Sequence, residues 1–239
     1  MLSTFFVPEG TDFSASEIEV DGEEAHHGVN VLRLKQSEEV KISNGAGNWA
    51  IGKVSQLSKK SFTVEIYTRG FDSAAKQRVV VVQAILKNDA NKEAVDFLTQ
   101  VGVDEIIPWQ SQHSIGKIDD KSLRKWQNVT RESSRQSRRT RIPVIANTHS
   151  TESLISKIRD LQNIFVLHES AENRLSQIEI NQEADVILIV GPEGGLSEFE
   201  VNTFTAAGAK VVRLGESVLR AANAGAAATS VVMSRTGKW

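Results

Sequence analysis

The chain has 239 residues, enough for one large or two modest domains with a substantial core. Apolar residues make up 40% and charged residues 24%, and the formal net charge of -2 confines any nucleic-acid affinity to a local patch. The chain has no cysteine, which excludes disulfides, thiolate metal sites, iron–sulfur clusters and a cysteine nucleophile. Such a composition fits a reducing cytosol. The opening MLSTFFVPEGTD has neither the basic start nor the apolar core of a signal peptide. No run approaches the ~20 apolar residues of a membrane span, so a cytoplasmic location is expected.

Residues 1 to about 70 read as β. Short runs at Phe5-Phe6-Val7, Val29 to Leu34, Val40-Lys41-Ile42, Trp49 to Val54 and Phe62 to Tyr67 are separated by turn signals at Asp21-Gly22, Ser43-Asn44-Gly45 and Ser58-Lys59-Lys60. Strands at this spacing predict a small antiparallel barrel. Gly45-Ala46-Gly47-Asn48-Trp49-Ala50 nearly matches a dinucleotide fingerprint, but it lies between two alternating strands and opens no helix, so it reads as a hairpin turn. Residues 70–77, GFDSAAKQ, make the best linker.

Beyond the linker the pattern changes. Val79 to Leu86 is a buried strand. Asp89 to Val101 is an amphipathic helix with Ala90, Ala94, Phe97, Leu98 and Val101 on one stripe, closed by Gly102. Ile106-Ile107 reads as a strand stopped by Pro108, and Asp119 or Asp120 caps a long helix through Leu123, Trp126 and Val129. Val144-Ile145, Ile164 to Leu167, Val186 to Val190 and Val211-Val212 follow as strands. Helices are expected near 151–160 and 197–207, with a weak one near 171–178 and a last one over about 217–235. Alternating strands and helices predict an α/β domain with a mostly parallel sheet.

Three constellations carry chemistry. Val186 to Val190 empties into Gly191-Pro192-Glu193-Gly194-Gly195-Leu196, and Ser197 to Glu200 has the spacing of a capping box. This is a glycine-rich loop at the carboxyl end of a strand, where open α/β sheets bind ligands. It lacks the lysine and hydroxyl of a P-loop, which argues against a triphosphate. Downstream, Arg213 to Arg220 leads into a helix crowded with small residues from Ala221 to Ala228. The small residues read as close packing, whereas an arginine one turn into such a helix, Arg220, is costly to bury without an anion or carbonyls. Third, Arg131 to Arg141 holds five arginines and one glutamate. Arg131, Arg135 and Arg138 fall on one helical face, which points to phosphates. If all five arginines met phosphates, the slope of log affinity against log salt is expected to be roughly -3 to -5. His26, His27, His113, His149 and His168 have no metal-ligand spacing and read as structural; no metal site and no serine-nucleophile elbow is present.

The pair Gly191 to Glu200 (GPEGGLSEFE) and Arg213 to Ala227 (RLGESVLRAANAGAA) resembles the bacterial ribosomal RNA uridine-N3 methyltransferases, the RsmE family of the SPOUT class. Other segments match in order. These are Phe5 to Val7, His26-His27 with Val31 to Leu34, Asn44 to Gly47, Gln83 to Lys87, Val101-Gly102-Val103, Ile107-Pro108, and Gln136 to Arg138 with Ile142-Pro143. The resemblance implies a PUA-like β-barrel that holds RNA, assigned to residues 1–72. It also implies an α/β trefoil-knot domain over residues 73–239, S-adenosyl-L-methionine as cofactor, small-subunit ribosomal RNA as partner, and a homodimer through the C-terminal domain.

By the same resemblance the cofactor is held by Leu167, Glu169, Val190, Gly191, Pro192, Gly194, Gly195, Leu196, Leu214, Gly215, Val218 and Leu219. With RNA as the partner, Arg33 and the arginine segment, Arg131, Arg135, Arg138, Arg139 and Arg141, are expected to hold its phosphates. Arg220 is assigned to stabilise or orient the uridine anion, and Glu193 to cap the loop or to handle the proton. The chain departs from the family pattern at Thr4, where an arginine is common. It departs again at Gln100, at Glu216-Ser217 in place of Pro-Arg, and at Ala221-Ala222-Asn223 in place of Thr-Glu-Thr. A glutamate often given a role in the reaction is therefore Ala222. Two other readings stay open: a related methyltransferase acting on a ribose 2′-hydroxyl, and a non-catalytic RNA-binding or ribosome-assembly protein on the same fold.

Overall fold

The computed structural model describes residues 2–239. Its contacts divide the chain into two compact units, one up to Ala74 together with Arg131–Ile142, the other Ala75–Thr130 with Pro143–Trp239. A single cut after residue 72 would instead leave Arg131–Ile142 with the second part.

The first unit holds β1 (Ser3–Phe6), β2 (Glu17–Val20), α1 (Gly22–His26), β3 (Glu39–Ser43), β4 (Asn48–Leu57) and β5 (Phe62–Phe71). They form one sheet in the order β1-β3-β4-β5-β2. β1 runs parallel to β3 and the other pairings are antiparallel, so the expected antiparallel arrangement holds for three pairs of four. Alternate residues such as Val40 and Ile42, or Phe62 and Val64, turn inward and are essentially inaccessible. Phe5 and Phe62 meet edge to face at 5.0 Å in this core. The β3–β4 connection is the anticipated hairpin, with Gly45 and Gly47 at φ 72° and 107°. Asn44 Oδ1 closes it by accepting from the N–H groups of Ala46 and Asn48.

The expected strand over Val29 to Leu34 does not form. α1 continues into a π-helical turn, His27–Val31. Glu23 and Glu24 sit in the first turn, where the helix dipole favours acids. Val31 and Leu32 point outward, 58% and 45% exposed. A short apolar run cannot be assigned to strand or helix by periodicity alone, and here packing decides. A Cβ on Gly28 would stand 2.9–3.0 Å from Leu34, Phe5 and Phe62 side-chain atoms, so the turn presses its backbone into the core.

His27, beside this core, has its pKa pushed below the usual imidazole value, first by burial and then by the Arg135 charge. A depressed histidine pKa means that the unfolded chain binds the extra proton first. Its stabilisation is therefore present above the ordinary pKa of about 6.5 and is lost as pH falls through the lower folded value. Thermal melts at pH 7.5 and 5.5 are expected to show a loss on acidification that is smaller in His27→Gln; an identical loss in both would exclude His27 as a contributor.

The second unit is built from β6 (Val79–Ala84), α2 (Ala90–Gln100), β7 (Glu105–Gln110), α3 (Asp120–Gln136, whose last residues belong to the first unit), β8 (Val144–Ile145), β9 (His149–Ser150), α4 (Thr151–Ile158), β10 (Asn163–Leu167), β11 (Val186–Val190), α5 (Glu198–Ala206), β12 (Lys210–Val212) and α6 (Ala221–Arg235). Seven strands make one sheet in the order β12-β10-β11-β6-β7-β8, with β9 also on β7, and every pairing is parallel. β6 and β11 are buried throughout, as their unbroken apolar runs predict. Val79, Val81, Leu188 and Val190 pack with Leu98 of α2, Trp126 of α3 and Val232 of α6. Val80, Val82, Ile187 and Ile189 pack on the other face with Leu154 of α4 and Phe204 of α5. Each such valine or isoleucine contributes about 1.5–3 kcal/mol of burial.

Gly225 explains the small residues of α6. A Cβ there would come within 3.0 Å of Leu98 and 3.3 Å of Val190, so only a bare backbone fits between α2 and the sheet. Asp119 caps α3 by accepting from the Ser122 N–H.

Two expectations about the sheet of this unit fail. β7 runs through Pro108 rather than stopping before it. The Ile106 carbonyl accepts from Ala146, so Pro108, two residues on, turns its missing N–H to the same side. There the neighbour is broken into β8, paired to Glu105 and Ile106, and β9, paired to Trp109 and Gln110. No ladder bond is lost in the gap. The weak helix near 171–178 is also absent. Leu175 is buried, its N–H bonds the Arg213 carbonyl and the Arg213 N–H bonds Asn173, so this stretch extends the sheet side of β12 instead.

Candidate functional site

The carboxyl ends of three adjacent strands, β12, β10 and β11, open into a single cavity of about 740 Å³. Every residue that the resemblance assigns to the cofactor lines it, as do Glu193 and Arg220. The first α2 turn adds Ala90 and Glu93, and the start of α6 adds Ala221, Ala222 and Ala224. The α2 contribution has no local signal in the sequence, because it depends on the packing of α2 beside α6.

The glycine loop after β11 is held by several bonds. The Gly195 N–H donates to the Pro192 carbonyl, and Gly195 itself sits at φ 72°, where a side chain is strained. A Cβ on Gly195 would meet nothing within 4 Å. Glu193 Oε1 accepts from the Lys87 N–H, which ties the loop to the end of β6. The capping box forms as its spacing predicts: Ser197 accepts from the Glu200 N–H while Glu200 accepts from the Ser197 N–H and hydroxyl. Glu200 is 1% exposed, and its other oxygen accepts from the Gln112 N–H at 2.7 Å. His113 follows, with Nδ1 3.2 Å from the Gly195 carbonyl oxygen and its Cβ against Gly194. The segment after β7 therefore braces the loop, a role that the scattered histidines did not reveal.

The wall after β12 differs from expectation. α6 begins at Ala221, not near Ser217, and Arg220 is its N-cap residue with extended backbone (φ -60°, ψ 143°). The N–H groups of Asn223 and Ala224 bond the Arg220 carbonyl. Just before this start, Glu216 pairs with Arg174 at 2.6 Å and with Arg213 at 3.7 Å. Arg220 is exposed rather than buried, and its guanidinium has no hydrogen-bonding or ionic partner among the described residues. Arg213 is the other arginine of the cavity; its Nε is buried without a partner.

Ala222 is 5% exposed and packs with Leu86 and Ala94. The methyl group fits these apolar neighbours at the edge of the cavity.

The arginine segment also differs from expectation. α3 ends at Gln136 and Arg138 lies past it at φ 58°, so Arg131, Arg135 and Arg138 do not share one helical face. Arg131 Nε and Arg135 Nη2 both donate to Glu24 Oε1, at 2.9 and 2.7 Å. Arg131 also donates to the Phe6 carbonyl and stacks over the Phe6 ring at 5.2 Å. The compensating acid missing from the helix is thus supplied by Glu24, which is only 5% exposed. Arg141 donates to the Asp72 carbonyl and Arg139 is half-buried, while Arg33 and Arg138 are exposed.

Among the described residues no group of histidine, cysteine, aspartate and glutamate could hold a metal, and no helix is long and apolar enough to cross a membrane.

Comparison with known proteins agrees with this architecture. A family model described as an RNA methyltransferase domain matches residues 73–233, and one described as an RNA methyltransferase PUA domain matches residues 20–67. The chain is 34% identical to the ribosomal RNA small subunit methyltransferase E of Mycobacterium bovis, over 98% of this chain and 92% of that protein. It is 26% identical to the Bacillus subtilis protein of the same name, over 93% and 91%. A crystal structure of a Neisseria gonorrhoeae ribosomal RNA small subunit methyltransferase E bound to S-adenosyl methionine has the same fold, with TM-score 0.89, 23% identity and 98% coverage of both chains. The chain therefore belongs to the ribosomal RNA small subunit methyltransferase E family.

Proposed function

We propose that this chain transfers a methyl group from S-adenosylmethionine to N3 of a uridine in small-subunit ribosomal RNA. The observation that carries the reading is the cavity itself, with a glycine loop on one wall and the unpaired Arg220 guanidinium on the other. Family membership supports the substrate class.

The residues present suit the cofactor. The cavity is of ligand size, has apolar walls from Leu167, Val190, Leu196 and Leu214, and contains the unsatisfied buried donor Arg213 Nε. Gly195 leaves open space where any side chain would intrude. When bound, S-adenosylmethionine supplies an electrophilic methyl on a sulfonium. The main chain of Gly191 to Leu196 and of Leu214 to Leu219 holds and orients it. Uridine N3 bears a weakly acidic proton between two carbonyls; that proton passes to water, Arg220 stabilises the resulting anion, and the N3 lone pair takes the methyl. Glu193, already engaged with the Lys87 N–H, serves mainly to set the loop. Arg33, Arg138 and Arg141 hold RNA, while Arg131 and Arg135 shape the surface through Glu24.

By this reading residues 1–72 and 73–239 are the RNA-holding and methyltransferase domains, and the enzyme works in the cytoplasm as a homodimer. Exposure of Phe199 and Val218, at 63% and 76% on the second unit, supports self-association.

The test is mass-spectrometric mapping of small-subunit RNA from a strain lacking the gene, with and without complementation. Loss of a methyl at uridine N3 and its return are expected; loss at a ribose 2′-hydroxyl, or at no nucleotide, would defeat the assignment. The cofactor wall has its own check by isothermal titration calorimetry. Gly195→Trp is expected to weaken S-adenosylmethionine binding by about 100-fold or more, because an indole would fill the space and the backbone would be strained. Wild-type affinity in that variant would move the cofactor elsewhere.

A further inference from the structure

On the first unit two cation–aromatic pairs are joined through one aspartate. The Lys41 ammonium lies 4.8 Å over the Trp49 ring. The indole lies across Gly70, where a Cβ would be 2.4 Å from Cζ2, and its Nε1 donates to Asp72 Oδ1 at 3.1 Å. Phe71, the neighbour of Asp72, is 61% exposed and carries the Arg141 guanidinium 5.4 Å from its centroid. Arg141 Nε donates to the Asp72 carbonyl, and Thr140 Oγ1 donates to the Asp72 carboxylate. Gly47 permits this assembly, since a Cβ there would lie 2.4 Å from the Asp72 carbonyl oxygen.

The distribution of charge separates this patch from the arginine helix. The Asp72 carboxylate is occupied by neutral donors, Trp49 and Thr140. Among the described residues Lys41 and Arg141 form no ion pair, whereas Arg131 and Arg135 share Glu24. Phe71 also lies outside the hydrophobic core of this unit, so its ring does not serve packing there. One exposed aromatic ring, Phe71, stacked with Arg141 and flanked by the Lys41 ammonium on the covered Trp49 ring, matches the needs of unpaired nucleotides: a π-face for a base and positive charge for the adjoining phosphates. A duplex hides its base faces and could use only the cations.

We propose that Lys41, Trp49, Phe71 and Arg141 form a stacking platform for a single-stranded segment of the RNA substrate. This rests on the reading of the chain as an RNA methyltransferase and adds the site and the form in which the RNA is held. Phe71 supplies the exposed ring, Arg141 the second stacking plane, and Lys41 a phosphate contact.

The experiment is fluorescence anisotropy with the full chain and two labelled probes, a short uridine-rich single strand and an RNA duplex of the same length. Phe71→Ala is expected to weaken single-strand binding on the order of tenfold and to leave duplex binding unchanged, while Phe71→Trp restores it. Circular dichroism establishes that both variants are folded. Equal binding by Phe71→Ala and wild type would overturn the platform, and so would an equal loss on both probes. Methyl transfer by the wild-type chain to small-subunit RNA is measured alongside. Absence of transfer would overturn the functional reading, whereas transfer with indifferent Phe71 variants would overturn the platform alone.

Discussion

Replacing Arg220 with alanine is expected to lower kcat for methyl transfer by ~10²–10³-fold, the loss that follows removal of one preorganised charge-stabilising donor. Three features of the site support so large an effect. Arg220 occupies the N-cap of α6, so its backbone is fixed by the Asn223 and Ala224 N–H bonds although its side chain is unengaged. Its neighbour in the cavity, Arg213, is partly committed to Glu216 and cannot substitute. The carboxylates lining the same space, Glu93, Glu169, Glu193 and Glu216, would oppose a developing anion rather than stabilise it. Binding of S-adenosylmethionine is expected to be nearly unchanged, because the guanidinium acts on the nucleobase. Single-turnover transfer together with calorimetric cofactor binding makes the distinction. A variant that loses cofactor binding and keeps kcat would place Arg220 on the cofactor instead. Arg220→Lys is expected to recover only part of the rate, since an ammonium retains charge without the planar fork.

The largest effect on stability is expected at Glu24. This carboxylate accepts from the Phe6 N–H, Arg131 Nε and Arg135 Nη2, and only 7% of its side-chain surface is exposed. Truncation to alanine leaves two like-charged guanidinium groups and a strand N–H without their shared carboxylate, Arg131 keeping only the Phe6 carbonyl. Breaking a buried pair from one side costs about 3–5 kcal/mol. The lower part of that range is expected, because the Arg131 side chain is 41% exposed and can turn to water. Urea unfolding should show the loss, and Glu24→Gln, which keeps an acceptor but not the charge, should fall between alanine and wild type. If Glu24→Ala unfolded at the wild-type midpoint, the triad would be incidental.

The contrast between Arg220 and Arg131 shows what the sequence can carry. The strand, glycine loop and helix start at Val186 to Glu200 were legible because their signals are local: a buried run, three glycines and a capping box within fifteen residues of Asp185. The parallel sheet followed from the same kind of periodicity. The fate of Arg131 was not legible, because its partner lies 107 positions away and no pattern near either residue marks the pair. Pro108 misled for a related reason. A proline stops a strand only where its missing N–H would have been used, and that depends on a neighbour broken in two. Val29 to Leu34 failed where two local solutions were nearly equivalent and the close approach of Gly28 selected one. The placement of Ala222 beside Leu86 likewise required the fold, although the departure itself was visible in the sequence.

The broken neighbour of β7 has another effect. The sheet of the second unit is made of segments such as VVVVQA and VILIV, uncharged and β-branched, the composition that drives strands of different molecules to pair. Yet the outermost strands are stubs: β12 has three residues with an exposed lysine first, and β8 and β9 have two each. A foreign strand arriving at either border finds too few consecutive N–H and C=O groups to extend a ladder, while the adhesive segments stay in the middle. The interruption that accommodates Pro108 thus also serves as protection against edge-to-edge aggregation.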